Sequence, residues 1–286
     1  MHAATVFLDG ANAVLILMLV ALGLAIVFGL MNVINLAHGE FLMLGAYVVL
    51  AAGQAGLPFW AGVLLAPVAV GAVGLLAEEV VIRHTYSRLL DTILATWGLS
   101  MVLRQAVAIL YGPGSYSVAA PDLGAVMLAG SPYPVYRLVV MAISLSAIAG
   151  TFALFFRTRF GLAARAVIAN RGMASCLGID TRRLDRWTFS VGAGLAGLAG
   201  ATVSPLIAID PQAGLGWLVP AFLAILVGGL GSIAGPLAGA AGVGGLDSLT
   251  AAVASPVWAQ LVVFVAAILV IRLRPAGLLA RRRRES

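Results

Sequence analysis

The chain has 286 residues, of which 62% are hydrophobic, 34 are glycine and only 10% are charged. Soluble domains carry about 25% charged residues, so this composition excludes a water-soluble globule and indicates a protein that crosses a membrane several times. The formal net charge is +6 and all 17 basic residues are arginine, so the lack of lysine excludes a P-loop ATP site and a pyridoxal phosphate Schiff base.

Apolar segments of about 20 residues follow one another along the chain, and each predicts a membrane-crossing helix. We therefore expect an all-α fold, a polytopic integral membrane helical bundle of about nine spans near 12–31, 36–56, 60–82, 92–111, 134–156, 187–208, 217–231, 234–254 and 257–273. Eight or ten spans stay open, because polar residues interrupt the second segment and glycines are frequent in the seventh and eighth. The first segment exceeds the 7–15 residues or so of a signal-peptide apolar region, so we expect the mature protein to retain it.

The arginines lie in short blocks between the apolar segments, at 83–88, at 157–186 and from 272 to the end. Such blocks mark cytoplasmic loops, and with nine spans all three fall on one side of the membrane. We therefore predict that the N-terminus is outside, that the C-terminus is inside and that residues 1–286 form one transmembrane domain. The run from Arg281 to Arg284 predicts retention near anionic lipid heads, and this pattern argues against nucleic-acid binding.

The second segment begins with a polar cluster. At 100° per residue, Asn32, Asn35, His38 and Gly39 fall within an arc of about 120°, whereas Glu40 points away from it. Polar groups inside a helical bundle are costly and often functional, so one interpretation is that this face lines a translocation path. The alternative is that these groups form polar contacts between packed helices.

Charged residues near the spans need compensation. Glu40 would be costly alone in the membrane, and Arg104, well inside the fourth span, is the candidate counter-charge, so we hypothesise that the two form an ion pair. Glu78 and Glu79 lie beside Arg83 at the inner end of the third span, where we interpret them as solvated charges at a helix end.

Two motifs of enzymes are present only in part. His38 and Glu40 form an H-x-E pair, but the single cysteine, Cys176, and the lack of an H-E-x-x-H motif exclude a catalytic zinc site. The G-x-G-x-x-G pattern from Gly192 to Gly197 lies inside an apolar helix without a preceding strand, so it is no dinucleotide site. Small residues at every fourth position instead predict close helix packing, at Gly192, Ala196 and Gly200 and again at Gly231, Gly235 and Gly239. Gly39 and Gly45 predict a similar close approach of backbones.

The largest inner segment, 157–186, predicts one short amphipathic helix. It begins after Gly161 and ends at Gly178, where a positive φ is tolerated, and its polar face carries Arg165 and Asn170. Its apolar face combines residues spaced by three or four: Leu162, Ala166, Ala169, Met173 and Leu177. Two interpretations stay open, a helix that lies on lipid and a docking element for a cytoplasmic partner.

Four sequence blocks are distributed from residue 29 to residue 279. They are GLMNVINLAHGEFLMLGAY from Gly29 to Tyr47, GLAARAVIANRGMASCLGID from Gly161 to Asp180, VGGLGSIAGPLAGA from Val227 to Ala240 and RPAGLL from Arg274 to Leu279. In this order they resemble the permease subunits of branched-chain amino-acid ABC importers, the LivH type. The chain departs from that family at Arg171-Gly172, where relatives usually carry acidic or polar residues.

The resemblance implies a subunit of the bacterial inner membrane that works with a homologous permease subunit, two ATP-binding cassette subunits and a periplasmic solute-binding protein. It implies that 157–186 is the coupling loop, with contacts to an ATPase from Gly161, Arg165, Ala166, Asn170, Ala174 and Gly178. It implies no catalytic residue, cofactor or metal in this chain. The sequence itself agrees with the need for separate ATPase and binding-protein subunits, because it contains no P-loop and predicts no outer soluble domain.

Several functions remain open at this stage. The expected substrates are branched-chain or related amino acids, and the alternative within the family is urea, a short amide or another small polar solute. A self-sufficient channel or secondary transporter is a second class, for which Glu40 and Arg104 are the main ionisable groups within the spans. An intramembrane enzyme is a third class, but no nucleophile and base stand together in the sequence.

Overall fold

A computed structural model describes residues 2–86, 89–128, 130–229 and 233–279. These residues form eleven α-helices: α1 (His2–Met31), α2 (His38–Gln54), α3 (Phe59–Val80), α4 (Leu89–Tyr111), α5 (Val135–Arg157), α6 (Arg159–Ala169), α7 (Arg171–Cys176), α8 (Thr181–Val203), α9 (Leu215–Gly228), α10 (Ala234–Val253) and α11 (Pro256–Leu273). A 3₁₀ turn, Ile82–His84, follows α3. Arg88, Gly231 and the run Arg281 to Arg284 lie outside the described residues.

The helical prediction is confirmed, because each of the nine predicted segments contains one helix. Within the described residues, five helices are long and apolar enough to cross a membrane: Ala4–Met31, Phe59–His84, Leu90–Tyr111, Val135–Arg157 and Pro256–Leu273. The 14 residues of α9 extend about 21 Å at 1.5 Å per residue, less than the roughly 30 Å of hydrocarbon in a bilayer. The number of crossings and the side of each terminus stay predictions.

The all-α expectation is wrong in one place, where strands β1 (Ala125–Leu128) and β2 (Ser131–Pro134) pair antiparallel between α4 and α5. The short strands hydrogen-bond to each other locally, and their side chains do not show the alternation of polar and apolar residues that signals a half-buried strand. The sequence of this segment therefore gave no signal for strands.

The first helix begins about ten residues earlier than predicted, at His2. In the structure the Asp9 carboxylate accepts a hydrogen bond from the Tyr133 hydroxyl at 3.0 Å and forms an ion pair with Arg137. The helix continues through Asp9 because the charge is compensated there.

The chain divides into two compact units, one of residues 1–25, 121–145 and 219–286 and the other of residues 26–120 and 146–218. In the second unit, α2, α3 and α8 pack together through glycines. A Cβ atom on Gly45 would overlap the carbonyl of Gly197, and one on Gly200 would overlap the carbonyl of Leu42. The predicted close packing at Gly45 and Gly200 is thereby confirmed.

In the first unit, two of the sequence blocks that resemble the importer permeases meet. The backbone N–H groups of Leu278 and Leu279 donate to the carbonyls of Val227 and Gly228, at 2.9 and 3.1 Å. Gly239 lies against the carbonyl of Ala224, closer than a Cβ would permit, and a Cβ on Gly235 would likewise overlap the carbonyl of Gly229. Close packing at the described members of this glycine row is therefore also confirmed.

Candidate functional site

A buried ion pair joins α2 to α4. The Glu40 side chain is 1% exposed, and its Oε1 accepts hydrogen bonds from Arg104 Nη2 at 2.8 Å and from Ser100 Oγ at 2.9 Å. The Arg104 side chain is 24% exposed, and its Nη2 also lies 2.9 Å from Ser100 Oγ. The structure thus contains the pair that the sequence hypothesis proposed, with Ser100 as a third member that the hypothesis lacked.

This cluster retains spare hydrogen-bonding capacity. Within the part of the chain that the structure describes, Glu40 Oε2 and Arg104 Nε are buried without a hydrogen-bond partner. A buried polar atom without a partner costs free energy, and such atoms often mark a site for water or a ligand. The cluster is therefore a candidate part of the translocation path, a role that stays a prediction.

The polar residues before Glu40 do not share one helix face, so that part of the prediction is wrong. Helix α1 ends at Met31, and residues 32–37 are not helical. Asn32 is exposed and adopts a positive φ of 54°, outside the range of a right-handed helix. The Asn35 side chain instead accepts a hydrogen bond from the Ala37 N–H at 3.0 Å, and this local turn replaces the helix that the 100° rule assumed.

Three of the predicted site residues nevertheless come together at the start of α2. Asn35, His38 and Glu40 are all at most 1% exposed. Gly39 lies against the carbonyl of Gly214 with no room for a Cβ atom, so the predicted close approach at Gly39 is confirmed. The exposed Asn32 stands apart from this buried group.

Sequence reasoning missed a polar stripe on α4. Thr92, Thr96, Ser100 and Arg104 are spaced by four, and the first three are at most 2% exposed. The Thr96 hydroxyl lies 3.1 Å from the carbonyl of Ile34, in the segment before α2, and also contacts carbonyls of its own helix. The i, i+4 spacing of polar residues in an apolar helix was the available signal.

The inner loop forms two helices, so the prediction of one continuous helix is wrong. Asn170 has φ −159° and ψ 101°, outside the helical region, and its side chain accepts a hydrogen bond from the Met173 N–H at 2.9 Å as the N-cap of α7. Thr158 caps α6 in the same way, with the Gly161 N–H at 3.2 Å, so α6 begins at Arg159, before Gly161. The asparagine side chain can accept hydrogen bonds from nearby backbone N–H groups, and asparagine is therefore favoured at helix ends over helix interiors.

The loop ends as predicted. Gly178 has a φ of +85°, and the Ile179 N–H donates to the carbonyl of Ala174 at 3.1 Å. A left-handed glycine with such a backward hydrogen bond is a common C-terminal motif. Asp180 then caps α8 by accepting from the Arg183 N–H at 2.9 Å.

Large apolar side chains are exposed on this loop beside its arginines. Gly161, Ala164, Val167 and Ala174 turn towards the protein and are buried. Four large side chains remain exposed, with exposures of 63% for Leu162, 43% for Ile168, 58% for Met173 and 75% for Leu177. Arg165, which lies 5.2 Å from the Phe156 ring centre, and Asn170 are exposed as well. We call the four exposed apolar residues the loop face.

An ion pair anchors the loop to α8. The Asp185 carboxylate is 1% exposed and accepts two hydrogen bonds from the guanidinium of Arg171, one of them at 3.1 Å. Burial raises the pKa of Asp185, and the bonds from Arg171 oppose that rise. The same hydrogen bonds raise the pKa of Arg171. Bidentate pairs of this kind fix geometry as well as charge.

The interpretation of Glu78 as a solvated charge is wrong. The Glu78 side chain is fully buried and accepts a hydrogen bond from the Tyr86 hydroxyl, because the turn after α3 brings Tyr86 back over it. Burial, followed by the hydrogen bond to Glu78, raises the pKa of Tyr86. Glu79 is partly exposed and pairs with Arg83, with Arg186 at 2.9 Å and with Arg182 at 3.4 Å.

Comparisons with known proteins decide the family. The family model described as "Branched-chain amino acid transport system / permease component" matches residues 6–272. The chain is 31% identical to the high-affinity branched-chain amino acid transport system permease protein LivH of Escherichia coli K12, over 92% of this chain and 91% of that protein. The chain belongs to this permease family. It is also 30% identical to BraD of Pseudomonas aeruginosa over 92% and 91% of the two chains, and 26% identical to a probable LivH of Methanocaldococcus jannaschii over 82% and 76%.

No solved structure matches the chain. The family consists of transport permeases rather than enzymes, and the apolar helices agree with a membrane protein. Among the described residues, no group of three His, Cys, Asp or Glu side chains is placed to hold a metal ion.

Proposed function

We propose that this branched-chain amino-acid permease relative forms half of the translocation path of an ABC importer and is driven by ATPase subunits that dock on its inner loop. The expected substrates are branched-chain or related amino acids. The expected partners are a homologous permease subunit, two ATP-binding cassette subunits and a periplasmic solute-binding protein, in a bacterial inner membrane.

The loop face is the observation that carries the proposal. Four large apolar side chains are exposed on α6, on α7 and just after α7. Exposed apolar groups of this size favour coverage by a partner surface. Buried alanines, a valine and the Arg171–Asp185 pair hold the loop to the helices beneath it. A movement of a docked ATPase would therefore be transmitted to these helices, because the loop is held rigidly to them, as rigid-body coupling requires.

The experiment uses the complete transporter in proteoliposomes, with ATP-driven uptake and ATP hydrolysis measured together. We expect Met173→Glu to lower uptake about tenfold or more, because burial of a methionine contributes about 1.5–3 kcal/mol and 1.4 kcal/mol is tenfold in affinity. Arg165→Glu and the helix-breaking Ala169→Pro should also abolish uptake. Ser175→Glu adds the same charge to α7 two residues from Met173, off the loop face, and serves as the matched control.

The outcomes separate the proposal from its competitors. Loss of uptake in Met173→Glu with normal membrane insertion and a near-normal Ser175→Glu supports docking at the loop face. Unchanged uptake in all the loop variants would remove the loop from the mechanism. Solute accumulation by the protein alone, without an ATPase, would instead establish a self-sufficient transporter and overturn the proposal.

A further inference from the structure

A second feature of the inner loop is a basic pocket that the docking proposal does not use. The pocket has a volume of about 440 Å³, within the roughly 300–1,000 Å³ typical of small-molecule sites. It lies where the turn after α3, the start of α7 and the start of α8 meet. Its lining residues are Arg83, His84, Tyr86, Arg171, Arg182 and Asp185.

The charges around the pocket favour an anion. Three arginines line it, Arg83, Arg171 and Arg182, against one lining carboxylate, that of Asp185. Behind this lining, Glu79 pairs with Arg83, Arg182 and Arg186, and Glu78 accepts a hydrogen bond from Tyr86, so the arginines exceed the carboxylates by one charge. Each guanidinium has five N–H donors, and Arg182 is 65% exposed with a long contact of 3.4 Å to Glu79. Within the described residues, the buried Nε of Arg186 has no hydrogen-bond partner.

The surroundings of the pocket favour an anion that carries acyl chains. Leu76 and Val80 are four residues apart near the end of α3, which places them on one side of the helix. Arg83 lies in the 3₁₀ turn that follows. Leu76 is 61% exposed and Val80 is 67% exposed. Trp187 follows the arginines of α8 in the sequence and is 49% exposed. Tryptophan is enriched at the interface between membrane and water.

We propose that this pocket binds the phosphate group of an anionic phospholipid, with the acyl chains along the Leu76–Val80 side of α3. Basic pockets between membrane helices on the cytoplasmic side are known to take such headgroups. The phosphate contacts Arg83, Arg171 and Arg182, and so ties α7 of the inner loop to the ends of α3 and α8. The occupied pocket stabilises the position of the loop face.

The test is native mass spectrometry of the purified full-length protein in detergent, titrated separately with phosphatidylglycerol, phosphatidylcholine of the same chains and inorganic phosphate. A basic residue near an anionic surface contributes about fivefold to affinity. The double variant Arg83→Gln/Arg182→Gln should therefore bind phosphatidylglycerol about 30-fold more weakly. The exposed Arg182→Gln alone should lose about fivefold, and it keeps the measurement informative if the double variant misfolds.

The double variant Arg272→Gln/Arg274→Gln is the control, since it removes the same charge near the end of another helix, α11. Unchanged phosphatidylglycerol binding in this control and weak phosphatidylcholine binding support the proposal. Equal losses in both double variants would show general surface attraction and overturn it. Binding of inorganic phosphate as tight as that of phosphatidylglycerol would identify a free-phosphate site and overturn the lipid assignment.

Discussion

Replacement of Arg104 by methionine tests whether the ion pair of α2 and α4 stabilises the protein. Methionine approximately keeps the length of the side chain but removes one of the two described hydrogen-bond donors to the Glu40 carboxylate, which is 1% exposed. The Ser100 hydroxyl is the donor that stays. Removal of one partner from a buried pair costs about 3–5 kcal/mol. Because Arg104 is 24% exposed, we expect the lower end, about 3 kcal/mol of the free energy of unfolding.

The assay is unfolding in mixed micelles, followed for Arg104→Met, Glu40→Gln and the double variant. The double variant should lose less unfolding free energy than the two single variants lose together. The difference, the coupling energy, should be about 2 kcal/mol, within the range for residues in contact. Arg137→Met is the matched control, since its partner Asp9 is 46% exposed and exposed pairs contribute at most about 1 kcal/mol. Equal losses in Arg104→Met and Arg137→Met, or additive losses in the double variant, would refute the reasoning.

Two further predictions concern the second unit. Gly45→Ala should lower the unfolding free energy by about 1–3 kcal/mol through overpacking, whereas Gly53→Ala on the same helix, with open space at its Cβ, should not; equal thermal stability of both would contradict this. Arg171→Met should raise the pKa of Asp185 further above its usual value. A carboxyl whose pKa is raised in the folded state makes the protein less stable as the pH rises through the raised range. The loss of unfolding free energy in Arg171→Met should therefore grow with pH, and this pH dependence should vanish in Arg171→Met/Asp185→Asn. A loss that does not depend on pH would count against the anchoring role of the pair.

The helices were predictable because hydropathy is a local property. Each of the nine apolar segments contains a helix, and the left-handed Gly178 ends the inner loop as its sequence indicated. The close-packing glycines were also predictable, since a small residue at every fourth position marks one side of a helix regardless of its neighbour. The family followed from sequence blocks that needed no structure.

Local helical geometry also misled at two asparagines. The rule of 100° per residue assumed a helix through Asn32, which instead has a φ of 54°. The same assumption joined α6 to α7, although Asn170 uses its side chain as an N-cap. In each case an asparagine could continue or end a helix, and the sequence periodicity is the same for both outcomes.

The sequence by itself determined a helical membrane permease of the branched-chain amino-acid family, because composition, hydropathy and local motifs depend on residues close together in the chain. Only the tertiary structure decided that Ser100 joins Glu40 and Arg104, that Glu78 is buried under Tyr86, and which side of the inner loop is exposed. Periodicity states which side of a helix a residue occupies, but the identity of its neighbour depends on how distant helices pack.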